Sequence, residues 1–359
     1  MIMIMKCRKV LLGFAIAILG EAIALAQAGS IQEGAMSVRK LEDGLYFMEY
    51  RGDDGFAGLV ERGGARSAGE MSNYVMGFIF QGLQSQPQSP QPGPADYGCS
   101  ALTVRTPEGG TMMGRNFDFS SATGMILHTV PEHGYETYTT FNLDFLGFGE
   151  GWLPEGTQNK FMALSVLFFA LDGVNEKGLA IADLMAGDDV QTHQESGKPA
   201  LTTTTAICYV LKNAANVDEA LELLRGIDMH SDIGAAHHYA ISDASGRSVV
   251  VEYVDNQMIV IESNAVANHY LCQAKRNVGL LEGDCRYDNM LRYMEETDGK
   301  MNEKQLTDAM SSVSQAPVEG KFLGTAWTMI MDLGTPSVTY YSRRNFDSGH
   351  RFEFERSGR

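Results

Sequence analysis

The run Gln84-Ser-Gln-Pro-Gln-Ser-Pro-Gln-Pro-Gly-Pro94 restricts this chain more than any other feature. Its prolines remove backbone donors and fix φ, so the stretch cannot enter a helix or a sheet interior and favours an extended, exposed course. It divides the chain into residues 29–98, ending in a linker over 84–98, and a larger part over 99–359. Polar, exposed, Pro-rich segments are where proteolysis concentrates. This one stops just short of Gly98-Cys99.

Ahead of the linker the sequence carries two kinds of segment. Lys6, Arg8 and Lys9 form a basic start, residues 10–20 are a small-and-apolar run, and Ala26-Gln-Ala28 is a small-x-small cleavage site. Residues 1–28 therefore read as an export signal, which places the mature protein in the periplasm, the cell envelope or the medium. The apolar run is too short to cross a bilayer, Glu21 follows it, and no later segment is long and apolar enough, so no membrane span is expected. Residues 29–83 read as folded but separate, with strand-type composition over 40–50 and near-helical apolar spacing over 72–83. The formal net charge of −17 repels phosphate backbones and anionic lipid, which argues against nucleic-acid or membrane-surface partners.

After Cys99 the pattern is one of hairpins with helices gathered between them. Residues 100–106 and 111–119 flank a Pro-Glu-Gly-Gly turn; 163–171 and 179–183 flank a second turn at 173–178; 239–242 and 247–253 flank a third. Residues 258–261 and 266–271 extend the third sheet. Helices are expected over 204–213, 217–225, 288–296 and 303–313, and closing strands over 325–333 and 337–342. This order argues for antiparallel sheets covered by helices, an α+β class, and against a βαβ array.

Cys99 has a specific chemical use if the chain is cut before it. One residue then holds both a thiol and an α-amine of ordinary pKa about 8, which can draw the thiol proton without a histidine. Taken alone, Cys99 reads better as a buried structural cysteine.

Its surroundings decide between these. Cys99-Ser-Ala-Leu-Thr-Val-x-Thr-x-x-Gly-Gly-x-x-x-Gly-Arg115-Asn-Phe-Asp118-Phe resembles the opening of the choloylglycine hydrolase and penicillin V acylase family, and acid ceramidase-like amidases open similarly. The resemblance continues through Asp172-Gly-Val-Asn-Glu-Lys-Gly-Leu-Ala180, the helices from Thr204, the block from His238 to Glu252, and Trp327-Thr-Met-Ile-Met-Asp-Leu333. It implies the four-layer αββα sandwich of N-terminal-nucleophile hydrolases. It implies hydrolysis of a linear, non-peptide amide with an apolar acyl group, through a thioester, after the Gly98–Cys99 bond is cut. No cofactor is implied. By the same resemblance Asp118 holds the α-amine over the sulfur, Arg115 lowers the thiol pKa, Asn268 stabilises the oxyanion, and Arg286 stands near the site, with Arg292 a competing choice.

The sequence departs from the family at Met185, where bile-salt hydrolases carry an asparagine; a thioether donates no hydrogen bond. It also departs in the long segment before Cys99, which the acid ceramidase-like relatives keep as a subunit and which is otherwise a discarded pro-segment. Retention of that fragment and homo-oligomerisation stay open. Acyl transfer to an amine, or a binding protein that never exposes Cys99, are the rival readings. No metal spacing is present, and His237-His238, lacking a third ligand, read as strand-end polar residues. Cys208 reads as a small buried hydrophobe, and Cys272 and Cys285 could pair in an oxidising compartment.

Overall fold

The computed structural model describes residues 26–80, 97–148, 151–188, 190–232, 235–319 and 324–354. Residues 1–25 of the stretch read as an export signal over 1–28, and residues 84–96 of the linker read over 84–98, lie outside the described residues.

A helix over 26–37 (α1) leads into the hairpin β1 (Arg39–Glu42) and β2 (Leu45–Gly52), then helices α2 (Phe56–Glu61) and α3 (Ala68–Phe80). Beyond the linker come β3 (Tyr97–Arg105), β4 (Thr111–Phe119), β5 (Gly124–Pro131) and β6 (Thr137–Asn142). Helix α4 (Gly156–Ala163) precedes β7 (Asp172–Asn175), β8 (Ala180–Met185) and β9 (Ala200–Thr202). Helices α5 (Thr203–Asn213) and α6 (Val217–Arg225) follow, then β10 (Asp228–His230), β11 (His237–Ser242), β12 (Ser248–Val254), β13 (Gln257–Glu262) and β14 (Ala265–Val266). Helices α7 (Arg286–Glu296) and α8 (Glu303–Ser312) and strands β15 (Gly324–Asp332), β16 (Ser337–Ser342) and β17 (His350–Glu353) complete the chain.

Two large sheets result. A nine-stranded sheet runs β1-β2-β5-β6-β7-β8-β11-β12-β13, and a six-stranded sheet runs β14-β3-β4-β15-β16-β17. They face each other through a core that includes Phe117, Trp327, Met125, Ile126 and Val174. Helix α5 covers β6, β7 and β8 of the first sheet, with α6 packed on α5; α7 and α8 cover β3, β4, β14 and β15 of the second. This is the expected αββα sandwich of antiparallel sheets, in which β2–β5 is a parallel exception.

Side-chain chemistry fixes the turns. Asn175 closes the β7–β8 turn by accepting from the backbone of Lys177 and Leu179, both at 3.0 Å, while its amide donates to the carbonyls of Leu211 and Ala214 at the end of α5. Gly178, at φ 78, lets that turn close against the Leu333 carbonyl, where any Cβ would collide. The Asn-Glu-Lys-Gly stretch thus ties sheet, helix and second sheet together.

Three expectations are corrected. Residues 29–83 are folded but not separate: β2 pairs with β5 over eight residues and buries Tyr46, Met48 and Tyr50. Residues 163–171 are no strand; they end α4 and form a buried 3-10 turn, an apolar run whose periodicity fits either element. Residues 266–271 do not extend the sheet of β13; only Ala265–Val266 pair, and with β3 of the opposite sheet.

Candidate active site

The β3–β4 register assembles the site. Cys99 lies opposite Phe117 and Ala101 opposite Arg115, so Cys99 and Arg115 share one face of the sheet. Gly98 lies opposite Asp118, so Asp118 belongs to the other face, under α7. Arg115 and Asp118 are three residues apart in one strand and therefore cannot share a face.

On the inner face Arg115 is completely buried. Its Nε meets Asp172 Oδ2 at 2.8 Å, its Nη2 donates to the Asp183 carbonyl at 2.9 Å, and its guanidinium stands 4.9 Å from the Phe117 ring centroid. Asp172 also accepts from Trp327 Nε1 at 2.9 Å. Burial raises the Asp172 carboxyl, and the Arg115 charge works against that rise. Cys99 is 4% exposed. Burial pushes its thiol up, Arg115 pulls it down, and Asp118 and Asp183 push it up again. Arg115 is therefore near the thiol as expected, but its first partner is Asp172.

On the outer face Arg286, at the start of α7, reaches into the sheet. Its Nη1 donates to the Cys99 carbonyl at 3.0 Å and lies 3.5 Å from Asp118 Oδ2, while Nε and Nη2 grip Asp284 at 3.0 and 2.7 Å. Burial alone raises Asp284, yet the Arg286 hydrogen bonds hold it below its ordinary value. Asp118 accepts from Thr325 Oγ1 at 2.5 Å. Burial lifts the Asp118 carboxyl to about 6 against the pull of Thr325, Arg286 and Arg115. Arg292 is exposed and sits beside Glu296, so of the two arginines only Arg286 belongs to the site.

Asn268 follows β14 by two residues and crosses to the same residue, Cys99. Its Oδ1 accepts from the Cys99 N–H at 2.5 Å, and its Nδ2 donates to the Met185 carbonyl at 2.8 Å. The amide NH2 expected to face an oxyanion is thus occupied by Met185 in the uncut chain, and Met185 enters the site through its backbone. Gly98 lies between Asp118 and Arg286: a Cβ there would stand 2.8 Å from Asp118 Oδ2 and 2.8 Å from Arg286 Nη1.

Arg115, Asp118, Asn268 and Arg286, the other expected site residues, therefore gather about Gly98 and Cys99. Asp172, Asp284 and Thr325 join them without having been singled out; the first opens the Asp-Gly-Val-Asn block and the second stands two residues before Arg286. Cys208 is buried in α5 with its thiol pushed by burial to about 12, and Cys272, buried, and Cys285, exposed, are both free. Among the described residues no group of His, Cys, Asp and Glu could hold a metal ion, and no helix is long and apolar enough to cross a membrane.

Two facing antiparallel sheets between helical layers, with a buried cysteine near the start of an inner strand, have the architecture of N-terminal-nucleophile hydrolases. A solved conjugated bile acid hydrolase from Clostridium perfringens superposes with a TM-score of 0.52 at 17% identity, over 71% of this chain and 92% of that one. The model of the family "linear amide C-N hydrolases, choloylglycine hydrolase family" matches residues 99–326, and this chain belongs to that family. Among curated relatives, a penicillin V acylase of Pectobacterium atrosepticum is 34% identical over 26% of this chain and 27% of its own length. A bile salt hydrolase/transferase of Clostridium perfringens is 27% identical over 46% of this chain and 51% of its own. The chain thus spans about half, or less, of the length of the curated relatives it matches.

Proposed function

We propose that the chain is cut between Gly98 and Cys99 and that Cys99, then carrying a free α-amine, hydrolyses a linear non-peptide amide with an apolar acyl group. The observation that carries this reading is the grip on Cys99 from both sides of its backbone. Asn268 holds the Cys99 N–H, Arg286 holds the Cys99 carbonyl, and Asp118 and Arg286 leave Gly98 no room for a side chain. The family match begins at Cys99 itself.

In the cut, Cys99 Sγ attacks the Gly98 carbonyl carbon, the C–N bond breaks, and the nitrogen takes a proton to become the α-amine. Water then opens the thioester, releasing the Gly98 carboxylate and restoring the thiol. Asn268 Oδ1 is already bonded to the nitrogen that becomes the amine. In turnover that amine takes the thiol proton, Sγ attacks the substrate carbonyl, and the proton passes to the leaving amine. Water then deacylates the enzyme. Asp118, with its carboxyl near 6, exchanges a proton close to neutrality beside Gly98 and Arg286. The export signal over 1–28 belongs to the same reading.

Residues 29–98 are proposed to stay as a subunit. Strand β2 lies inside the nine-stranded sheet, between β1 and β5, and Asp54 of this segment pairs with the buried Lys212 of α5 at 2.7 Å. Discarding the segment would bare the edge of β5 with its buried Met125, Ile126 and Leu127, and take from Lys212 its carboxylate partner. Acyl transfer to an amine is a second reading, favoured by the transferase in one relative's name; product analysis with an added amine acceptor separates it from hydrolysis.

The test is N-terminal sequencing with intact-mass analysis of wild type and Cys99→Ser, together with a screen of bile-salt conjugates, penicillin V and N-acyl amino acids. A second chain starting at Cys99, absent from a serine variant that also lacks turnover, supports the reading. An uncut Gly98–Cys99 bond in active protein overturns it.

A further inference from the structure

His237 opens β11 and is buried. Its Nδ1 lies 3.0 and 2.9 Å from the two carboxylate oxygens of Asp183, and its Nε2 lies 2.9 Å from the Asp232 carbonyl. A carboxylate and a carbonyl only accept, so the ring must donate from both nitrogens, which only an imidazolium does. The Asp183 charge lifts the ring to about 9 even though burial opposes the charged form.

The pair is tied to the site through Arg115, and the Asp183 charge reaches the Cys99 thiol. Alternation along β8 places Asp183 with Ile181 on the face toward α5, while its backbone carbonyl accepts from Arg115 Nη2 at 2.9 Å. Arg115 pairs with Asp172 and His237 with Asp183, while Arg286 stands with Asp118 and Asp284 on the other face of the Cys99 strand. Arg115 is already matched by Asp172, so a neutral His237 would leave Asp183 as an unbalanced negative charge that opposes a thiolate.

We propose that His237, as an imidazolium, is a positioning residue of this site: it cancels the Asp183 charge and fixes the Asp183 carbonyl that holds Arg115, and so keeps the Cys99 thiolate attainable near neutral pH. This rests on Cys99 being the nucleophile. Every neighbour of His237 is consistent with that role. Asp183 comes from β8, and Asp232, whose carboxylate accepts from the Thr203 and Thr204 hydroxyls of α5, from the preceding loop. Tyr239 of the same strand donates to the Thr203 carbonyl and touches Met229 of β10. Glu252 of β12 is taken up by His238 and by the backbone of Leu271 and Cys272.

The test is a pH titration of thiolate ultraviolet absorbance, with Cys99→Ala subtracted to remove the other thiols, in wild type, His237→Gln and Asp183→Asn/His237→Gln. One extra buried negative charge should cut the Cys99 thiolate fraction at neutral pH about tenfold in His237→Gln. The double variant, again balanced, should return to within about threefold of wild type, a rescue that a merely structural histidine would not give. In wild type the curve should broaden on its alkaline side as His237 loses its proton. A wild-type curve fitting one simple ionisation, or a double variant no better than the single, overturns the proposal, and the wild-type curve decides if neither variant folds. The absorbance reads the thiol without substrate, so a protein that titrates as expected yet hydrolyses no amide sinks the proposed activity and leaves this inference standing.

Discussion

Lys212→Met tests how firmly the segment before the linker is built into the rest. The Lys212 ammonium and Asp54 Oδ2 are 2.7 Å apart with side chains 6% and 9% exposed, so solvent screens the pair little. The partners are unequal. Lys212 Nζ also donates to the Leu167 carbonyl at 3.3 Å and stands 4.5 Å from the Phe56 ring centroid. Asp54 Oδ1 accepts from the Phe56 N–H at 3.0 Å, but among the described residues Oδ2 has Lys212 alone. Removing the cation therefore strands a buried carboxylate oxygen, a loss of about 3–5 kcal/mol. Asp54→Asn leaves the ammonium its carbonyl and its ring and should destabilise by only about 1–3 kcal/mol. The double variant should stand between wild type and Lys212→Met, because no lone charge remains. Urea unfolding followed by tryptophan fluorescence measures the three, and gel filtration at high dilution shows whether the fragment stays bound. A Lys212→Met protein as stable as wild type, or an Asp54→Asn protein less stable than Lys212→Met, would refute the reasoning.

Gly98→Ala should slow the cut by about a hundredfold, since the new methyl must displace the Asp118 carboxylate or an Arg286 already fastened to Asp284; pulse-chase gels check it, and wild-type processing would show the cleft to be looser than described. Asn268→Ala should lower turnover by about 10²–10³ in kcat with KM little changed, measured on the best substrate from the screen. Asp118 has a folded value near 6 against an ordinary 3.8, so the folded chain keeps a proton that the unfolded chain has released. Its contribution therefore makes stability fall as pH rises from about 4 to about 6, by about 3 kcal/mol at most. Asp118→Asn should flatten that interval in urea midpoints measured across it; an unchanged slope would assign the dependence elsewhere.

Much of this architecture was legible because local period carries it. The β3–β4 hairpin, the β11–β12 hairpin and α6 follow from alternation, turn residues and a capped amphipathic stretch, and α6 runs over Val217–Arg225 as read. Of what failed, 163–171 is an apolar run whose local period fits either element, and the rest depends on distant pairing. Nothing local shows that β2 joins β5 across the linker, or that Ala265–Val266 pairs with β3 instead of continuing beyond β13. The site divides the same way. Cys99, Arg115 and Asp118 are brought together by one hairpin, so spacing finds them. Asp172 as the Arg115 partner, Thr325 on Asp118, and Asp183 with His237 come from other strands. One signal was readable and unused: an odd spacing in a strand puts Arg115 and Asp118 on opposite faces, so each needs its own counter-charge.

The parallel pairing of β2 with β5 also sets the molecularity of folding. While the chain is whole, the linker keeps the two strands at the millimolar effective concentration of a short tether, and the sheet closes in a first-order step. Once Gly98–Cys99 is cut, the same closure becomes a second-order encounter between two chains. A protein cut as proposed that unfolds at nanomolar dilution would then meet its own fragment about a millionfold less often than before, so the proposed cut would turn a fold that one chain can regain alone into one that needs two.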